Sequence, residues 1–489
     1  MKILYYSTGS CLYPHIGVVL NSILEDVKNG NEVTWVYCSF AVPSCLMNPR
    51  GSKTYCKFCK STYNNLISRY GKGVKRTIPL QITPNNKEHF DYYNSAQLKK
   101  VQYRGVQIGY SILSYVISKT RELDFVIDAE LKKRYDEIIS YICGAVDSFS
   151  NIINENTPDI IKTYNGRYYE NRFVYDIAKA YNIEFHSLEV IGGHGEPYYP
   201  IHFPGDLPHS ITLNTKLINN TWEQSKMSYE EKCKVASSFF EKRTNNISSC
   251  DRVYTASQQV GLLPEGFDNS KCNIAVFNSS ADEISAIGGE WEEATKLFSS
   301  QYESLRYILS RAPENMHFYL RIHPNLKEVK YSYHTDFYKL SDEFNNITVI
   351  EPKSPISTYS LMHVCEKIIV FGSTMGVESC FWGKPVILIG TAFYALLDVC
   401  YKVQKKEDIF SLLNSQLPPK PKEGALKYAF YIMNRDVRVD NYDNIEVNYE
   451  TKSICGQKYR IVNYNTILGS VQLHAILHKL FTSVVSRLF

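Results

Sequence analysis

Short apolar runs alternate with helix-patterned stretches in two separate blocks of this chain, and that alternation restricts it to folds built on parallel sheets. In the first block Ile3 to Tyr6 is apolar and aromatic, and Val18-Val19-Leu20, Ile23-Leu24 and Val27 then recur at helical spacing. Gly30-Asn31 stops that helix and Glu32 to Tyr37 follows as a second β-rich run. Parallel neighbours need a crossover connection, and the intervening helix supplies it with the right-handed sense that twisted strands impose. Leu131 to Ile153 is a long helical pattern, and Asp159 to Tyr164 reads as a further strand. The polar stretch from about Lys60 to Lys100 carries no clear period.

The second block begins near Cys250. Strand patterns at Asn273 to Asn278, His317 to Ile322, Ile347 to Ile350, Lys367 to Phe371 and Val386 to Ile389 alternate with helical ones at Glu290 to Ala312, Thr358 to Cys365 and Met375 to Phe381. The expected architecture is α/β, with two Rossmann-like, doubly wound domains. The expected division is an N-terminal domain over 1–248, a C-terminal domain over 249–465, and a terminal helix over 466–489.

Composition narrows the function. The 489 residues hold 54 Lys+Arg and 50 Asp+Glu, a formal net charge of +4. This even balance, without a dense basic stripe, argues against a nucleic-acid binder. The apolar windows fall far short of the roughly 20 residues a spanning helix needs. No leader pattern is read at the N-terminus, and 13 scattered cysteines fit free thiols, so a cytoplasmic location is expected.

In open parallel sheets ligands bind beyond the carboxyl ends of strands, where loops converge. Two segments fit. Arg321-Ile322-His323-Pro324-Asn325 leaves one strand end, where His323 either meets a ligand or caps nearby carbonyls. Val370 to Glu378 leaves another: Gly372 and Gly376 allow close backbone approach, and Ser373 and Thr374 are N-caps or phosphate contacts. Glu378 falls on a largely apolar helix, where a carboxylate needs partners, either ribose hydroxyls or a salt bridge to Lys384.

The spacing from Glu378 through Gly383 to Pro385 resembles the donor segment of GT-B glycosyltransferases. The pairing of His323-Pro324 with Ser373-Thr374 is similar to the capsular-polysaccharide branch, which includes sialyl-, polysialyl- and Kdo-transferases and teichoic-acid polymerases. The run from Ser357 to Tyr394 is particularly like capsule and surface-polysaccharide biosynthesis proteins. The resemblance implies two domains facing a cleft and a metal-independent transferase. Its donor would be a nucleotide sugar, CMP-linked such as CMP-Kdo, and its acceptor a surface polysaccharide or a lipid-linked glycan. It gives His323, Ser373, Thr374 and Glu378 to the nucleotide; Pro324 and Gly372 are expected beside them, and Arg167, Arg321 and Lys384 are the expected substrate contacts. A GT-B sugar-nucleotide 2-epimerase and a non-catalytic polysaccharide-assembly protein are the rival readings.

In the first block the choice of base stays open between His15, in the loop after the first strand, and Glu189, at a later strand end near Asn165-Gly166-Arg167 and Arg172. The acidic base motif of sialyltransferases is not present. Cys56 and Cys59, with Cys38 and Cys45, have the spacing of a structural zinc site; the alternative is a set of reduced thiols. Gly469 to Phe489 is amphipathic, suiting either a membrane surface at the inner face of the cytoplasmic membrane or packing on the core.

Overall fold

The computed structural model describes residues 1–10, 15–38, 45, 48, 51–193, 196–247, 254–434, 449–454 and 457–462. The chain forms two compact units: Met1–Tyr115 with Asp124–Pro208 and Asp436–Phe489, and Val116–Leu123 with His209–Arg435.

The first unit is built on β1 (Lys2–Ser7), β2 (Glu32–Cys38), β3 (Arg76–Leu80), β4 (Ile160–Tyr164), β5 (Glu184–Gly193) and β6 (Glu196–Pro204). They lie in the order β3-β2-β1-β4-β5-β6, parallel throughout except that β6 runs antiparallel to β5. Helix His15–Lys28 makes the first crossover, and Gly30, at φ 76°, turns the chain into β2. The helices Lys53–Tyr70 and Ala129–Asn156 also belong to this unit. Trp35 is fully buried, and its indole N–H donates to Ser7 Oγ at 2.9 Å, which also accepts from the Tyr63 hydroxyl at 3.0 Å.

The second unit contains β7 (Cys272–Phe277), β8 (Met316–Arg321), β9 (Ile347–Ile350), β10 (Lys367–Val370), β11 (Val386–Leu388) and β12 (Tyr401–Lys402). All are parallel, in the order β12-β11-β10-β7-β8-β9. Both sheets therefore start at a central strand, grow outward on one side, and then resume on the other. This is the Rossmann winding expected from the sequence.

Two local readings change. The segment 290–312 is not one helix but a 3-10 turn, Gly289–Thr295, and a separate helix, Gln301–Leu309, because Ser300 caps the second start by accepting the Glu303 N–H at 3.1 Å. The passage to the second unit comes at His209 rather than at 249. Helices Ile211–Gln224 and Tyr229–Thr244 give Trp222, Phe239 and Phe240 to the second core, where Trp222 meets Phe430 edge-on at 5.3 Å and Phe240 stacks on Phe381 at 4.2 Å. The Glu290 carboxylate accepts the Ile211 and Thr212 N–H groups at 2.7 and 3.0 Å, which fixes the entry helix. Strands β13 (Tyr449–Ile454) and β14 (Gln457–Val462) form an antiparallel pair grouped with the first unit. The amphipathic stretch from Gly469 lies outside the described residues.

A buried ion pair crosses the first core. Lys162 Nζ on β4 meets Asp26 Oδ2 at 2.8 Å, and the same oxygen accepts from the Tyr5 hydroxyl. Breaking one side of such a pair strands a charge in a dry interior. Lys162→Ala is expected to lower stability by about 3 kcal/mol or more in urea unfolding, and Lys162→Met combined with Asp26→Asn to recover most of it.

Candidate functional site

A cavity opens at the carboxyl ends of β7, β8 and β10 in the second unit. This is where the strand order reverses between β7 and β10, and the outgoing connections diverge there to leave room for a ligand. His323, Pro324, Ser373, Thr374, Arg321 and Glu378 all line it, so the structure brings six of the sequence-derived residues together.

His323 follows β8, its backbone N–H donating to Asn278 Oδ1 at 2.7 Å and its Nδ1 accepting the Asn325 N–H at 3.2 Å. Pro324 opens the short 3-10 turn Pro324–Leu326. Arg321 is 3 % exposed. Its Nη1 and Nη2 donate to the carbonyls of Glu351 and Ser354 at 2.8 and 3.0 Å, and burial pulls the guanidinium down to about 10. Gly372 has φ 130°, and a Cβ there would lie 2.9 Å from the Thr391 carbonyl oxygen, so the strand end tolerates no side chain. Ser373 Oγ accepts the Met375 N–H at 3.3 Å, while its carbonyl accepts from the Tyr394 hydroxyl. The Thr374 side chain makes no capping bond to the seven-residue helix Met375–Phe381 that follows it.

Glu378 is buried on that helix and its charge is met from elsewhere. Arg243 Nη2, from helix Tyr229–Thr244, lies 3.1 Å from Oε1, and the Tyr359 hydroxyl donates to Oε2 at 2.5 Å. Burial, and then the neighbouring Glu378 carboxylate, push the Tyr359 hydroxyl well above its ordinary value. The expected Lys384 partner is not there. Lys384 Nζ donates instead to the carbonyls of His363 and Cys365 at 2.6 and 2.9 Å, closing the C-terminus of helix Thr358–Val364, and it does not line the cavity. Arg243, Tyr359, Gln258 and Asn278 were missed in the sequence. Asn278 alone had a signal, as the last residue of a predicted strand; Arg243 reaches the cavity from 135 positions before its partner.

The first unit has an equivalent cavity where its order reverses between β1 and β4. Thr8 and Gly9 follow β1, and Tyr164, Glu170 and Asn171 come from the end of β4 and beyond it. His15 begins the crossover helix and lines this cavity, its ring 4.3 Å from that of Tyr164. Burial lowers the imidazole to about 4, so it is neutral near pH 7, and Nδ1 has no partner among the described residues. Glu189 sits on the other side of Tyr164. It accepts from Asn165 Nδ2 at 2.7 Å and from the Tyr164 hydroxyl at 3.4 Å, and burial raises its carboxyl to about 7. The two base candidates thus share one tyrosine.

Arg167 is held by that same turn. Its N–H donates to Asn165 Oδ1 at 2.9 Å and its Nε to Ser114 Oγ at 3.0 Å. Asn165 and Gly166 both have positive φ, and a Cβ on Gly166 would come within 2.9 Å of Leu207. Arg172 Nε is paired with Asp176 Oδ1 at 2.9 Å.

Among the described residues no group of three or more His, Cys, Asp or Glu is placed to hold a metal. Cys56 Sγ accepts from Asn48 Nδ2 at 3.3 Å, and Cys59 Sγ lies 3.0 Å from Ser10 Oγ. The four-cysteine zinc set built from Cys38, Cys45, Cys56 and Cys59 is not assembled, so these residues do not fit that ion. No helix among the described residues is long and apolar enough to cross a membrane.

Residues 281–431 match the family profile described as capsule polysaccharide biosynthesis protein. The matched segment carries His323, Pro324, Gly372, Ser373, Thr374 and Glu378, which bears out the resemblance read from those residues. Similar solved structures include two from Thermosulfurimonas dismutans KpsC. Its beta Kdo 2,4 transferase is 17 % identical, covering 56 % of this chain and 79 % of that one, with a TM-score of 0.37. Its beta Kdo 2,7 transferase is 14 % identical, covering 67 % and 89 %, with a TM-score of 0.36. The UDP-GlcNAc 2-epimerase from Neisseria meningitidis is 13 % identical over 89 % and 97 %, with a TM-score of 0.23. A search of curated protein sequences returns no match.

The raised Glu189 carboxyl has a defined stability signature. A carboxyl that holds its proton more tightly when folded than its ordinary 4.5 favours the fold below that value and loses the contribution as pH rises from about 4.5 through 7. Glu189→Gln, which cannot ionise, is expected to be more stable than the parent at pH 8 by about 2 kcal/mol and near parity at pH 4.5, measured by urea unfolding at both.

Proposed function

We propose that the chain is a glycosyltransferase of capsule or surface-polysaccharide synthesis that takes its sugar from a nucleotide donor bound in the second unit. The observation that carries this reading is the cavity at the β7/β10 reversal, lined by His323, Ser373, Thr374 and Glu378 inside the segment that matches the capsule family. Small polar groups at a strand-end crevice, with two arginines close by, suit a phosphorylated ligand. The donor of choice is a CMP-linked sugar such as CMP-Kdo, on the resemblance of the His-Pro and Ser-Thr pairs. The acceptor is a saccharide or a lipid-linked glycan, for which the cavity beside His15 and Tyr164 is the proposed site.

The base that takes the acceptor's proton is His15 or Glu189. His15 is neutral at pH 7 and lines the first cavity; Glu189, at about 7, is half ionised there and exchanges a proton readily at that pH. Catalysis on this reading draws on hydrogen-bond donors and the two buried guanidiniums around the phosphate, with no metal assigned a step.

Calorimetric titration with CMP, CDP, UDP and GDP tests the donor site. The parent is expected to bind a cytidine nucleotide selectively, and His323→Ala to lose about tenfold or more of that affinity. Selective binding of UDP or GDP would keep a nucleotide-sugar enzyme and discard the cytidine donor. Product analysis then separates the rivals: transfer to a saccharide supports the proposal, an epimerised free nucleotide sugar supports the 2-epimerase, and absence of all nucleotide binding supports a non-catalytic assembly protein.

A further inference from the structure

Three amide or guanidinium donors that line the second-unit cavity share an unusual arrangement. In each, the other side-chain N and O atoms are bonded to the protein and one nitrogen is left without a partner. Asn278 is fully buried; its Oδ1 accepts the His323 N–H at 2.7 Å, and Nδ2 has no partner. Arg321 spends Nη1 and Nη2 on two backbone carbonyls and leaves Nε unpartnered. Gln258 accepts the Thr358 N–H on Oε1 at 2.8 Å and leaves Nε2 unpartnered. The accepted N–H groups fix which end of each amide is the donor.

Buried donors without acceptors are uncommon in native proteins, and three around one cavity point to a ligand that supplies the acceptors. Charge says which kind. The Glu378 carboxylate is matched by Arg243, but Arg321 faces only neutral carbonyls, and no carboxylate pairs with it among the described residues. The cavity wall therefore carries one uncompensated positive charge, Arg321, beside two neutral amide donors, and a buried cation is stable only with a counter-charge.

We propose that Asn278, Arg321 and Gln258 form an oxyanion-reading wall that makes a phosphate group, rather than the base or the sugar, the determinant of binding in this cavity. Asn278 has a double role: it sets the position of the His323 loop through Oδ1 and meets a phosphate oxygen through Nδ2. Gln258 and Arg321 take further oxygens of the same group. The inference deepens the nucleotide-donor reading and rests on it for the identity of the phosphate's carrier.

The test uses exchanges that keep the structural bond and put an anionic oxygen where the donor stood, so a phosphate loses its partner and meets a like charge. Asn278→Asp and Gln258→Glu each preserve the acceptor used by the backbone, so their thermal midpoints report whether the fold is intact. Binding of CMP, UMP and GMP, of cytidine, uridine and guanosine, and of pyrophosphate is measured by calorimetry on the parent and both variants. Each variant is expected to lose about tenfold or more in affinity for the nucleotide that the parent binds, while its affinity for the matching nucleoside is unchanged. Equal nucleotide affinity in parent and variants, with intact folds, overturns the proposal, as does an equal loss for the nucleoside, which would turn these donors to the base. If the parent binds no nucleotide, the donor reading falls, and pyrophosphate decides this inference separately: binding by the parent that both variants lose sustains it, and no binding overturns it. Should Asn278→Asp fail to fold, Gln258→Glu, on a half-buried loop residue, decides the same question alone.

Discussion

The handedness of the crossover between parallel strands governs the rest of this molecule. A right-twisted strand followed by a helix returns to the sheet on one hand only, so a sheet that grows first to one side of its central strand and then to the other must open a gap where the direction changes. Both units do this, between β1 and β4 and between β7 and β10, and both carry a cavity at that gap. The chemistry of each cavity follows from which residues the strand ends happen to release there. Histidine, serine and threonine emerge in the second unit; histidine, tyrosine and asparagine in the first.

How polar groups are buried distinguishes scaffold from site. Asp26 and Lys162 satisfy one another inside the first core, and Glu378 and Arg243 do the same at the second cavity. Lys384 saturates the end of a helix. Lys162 with Asp26, and Lys384, are closed circuits with no capacity for a ligand, whereas Glu378 and Arg243 line the second cavity. Arg321, Asn278, Gln258 and the Nδ1 of His15 retain unused hydrogen-bonding capacity, and all four lie at the two strand-order reversals.

Most of the fold was legible in the sequence because parallel strands buried on both faces are written as largely apolar runs, as in β1, β7, β10 and β11. Strand β3, at Arg76–Leu80, was not, since it lies at a sheet edge and only Leu80 is fully buried. The site was legible where consecutive residues leave one strand, as with His323-Pro324 and Ser373-Thr374. It was not legible where partners meet from distant elements: nothing in the neighbourhood of Glu378 announces Arg243, and the nearest cation in sequence, Lys384, has another task. The domain limit was misread for a similar reason. Helices Ile211–Gln224 and Tyr229–Thr244 carry amphipathic patterns that say a face is buried but not against which sheet.

Those two helices also set an order of events during synthesis. Trp222, Phe239 and Phe240 precede by well over a hundred residues the partners that cover them, Phe381 and Phe430. At ribosomal speeds that is an interval on the order of ten seconds or more. Through it the growing chain must carry an aromatic surface that has no sheet to close on, after the strands of the first unit up to β6 have already been made. The core cluster that takes up these aromatic side chains is completed only when helix Glu423–Met433 arrives.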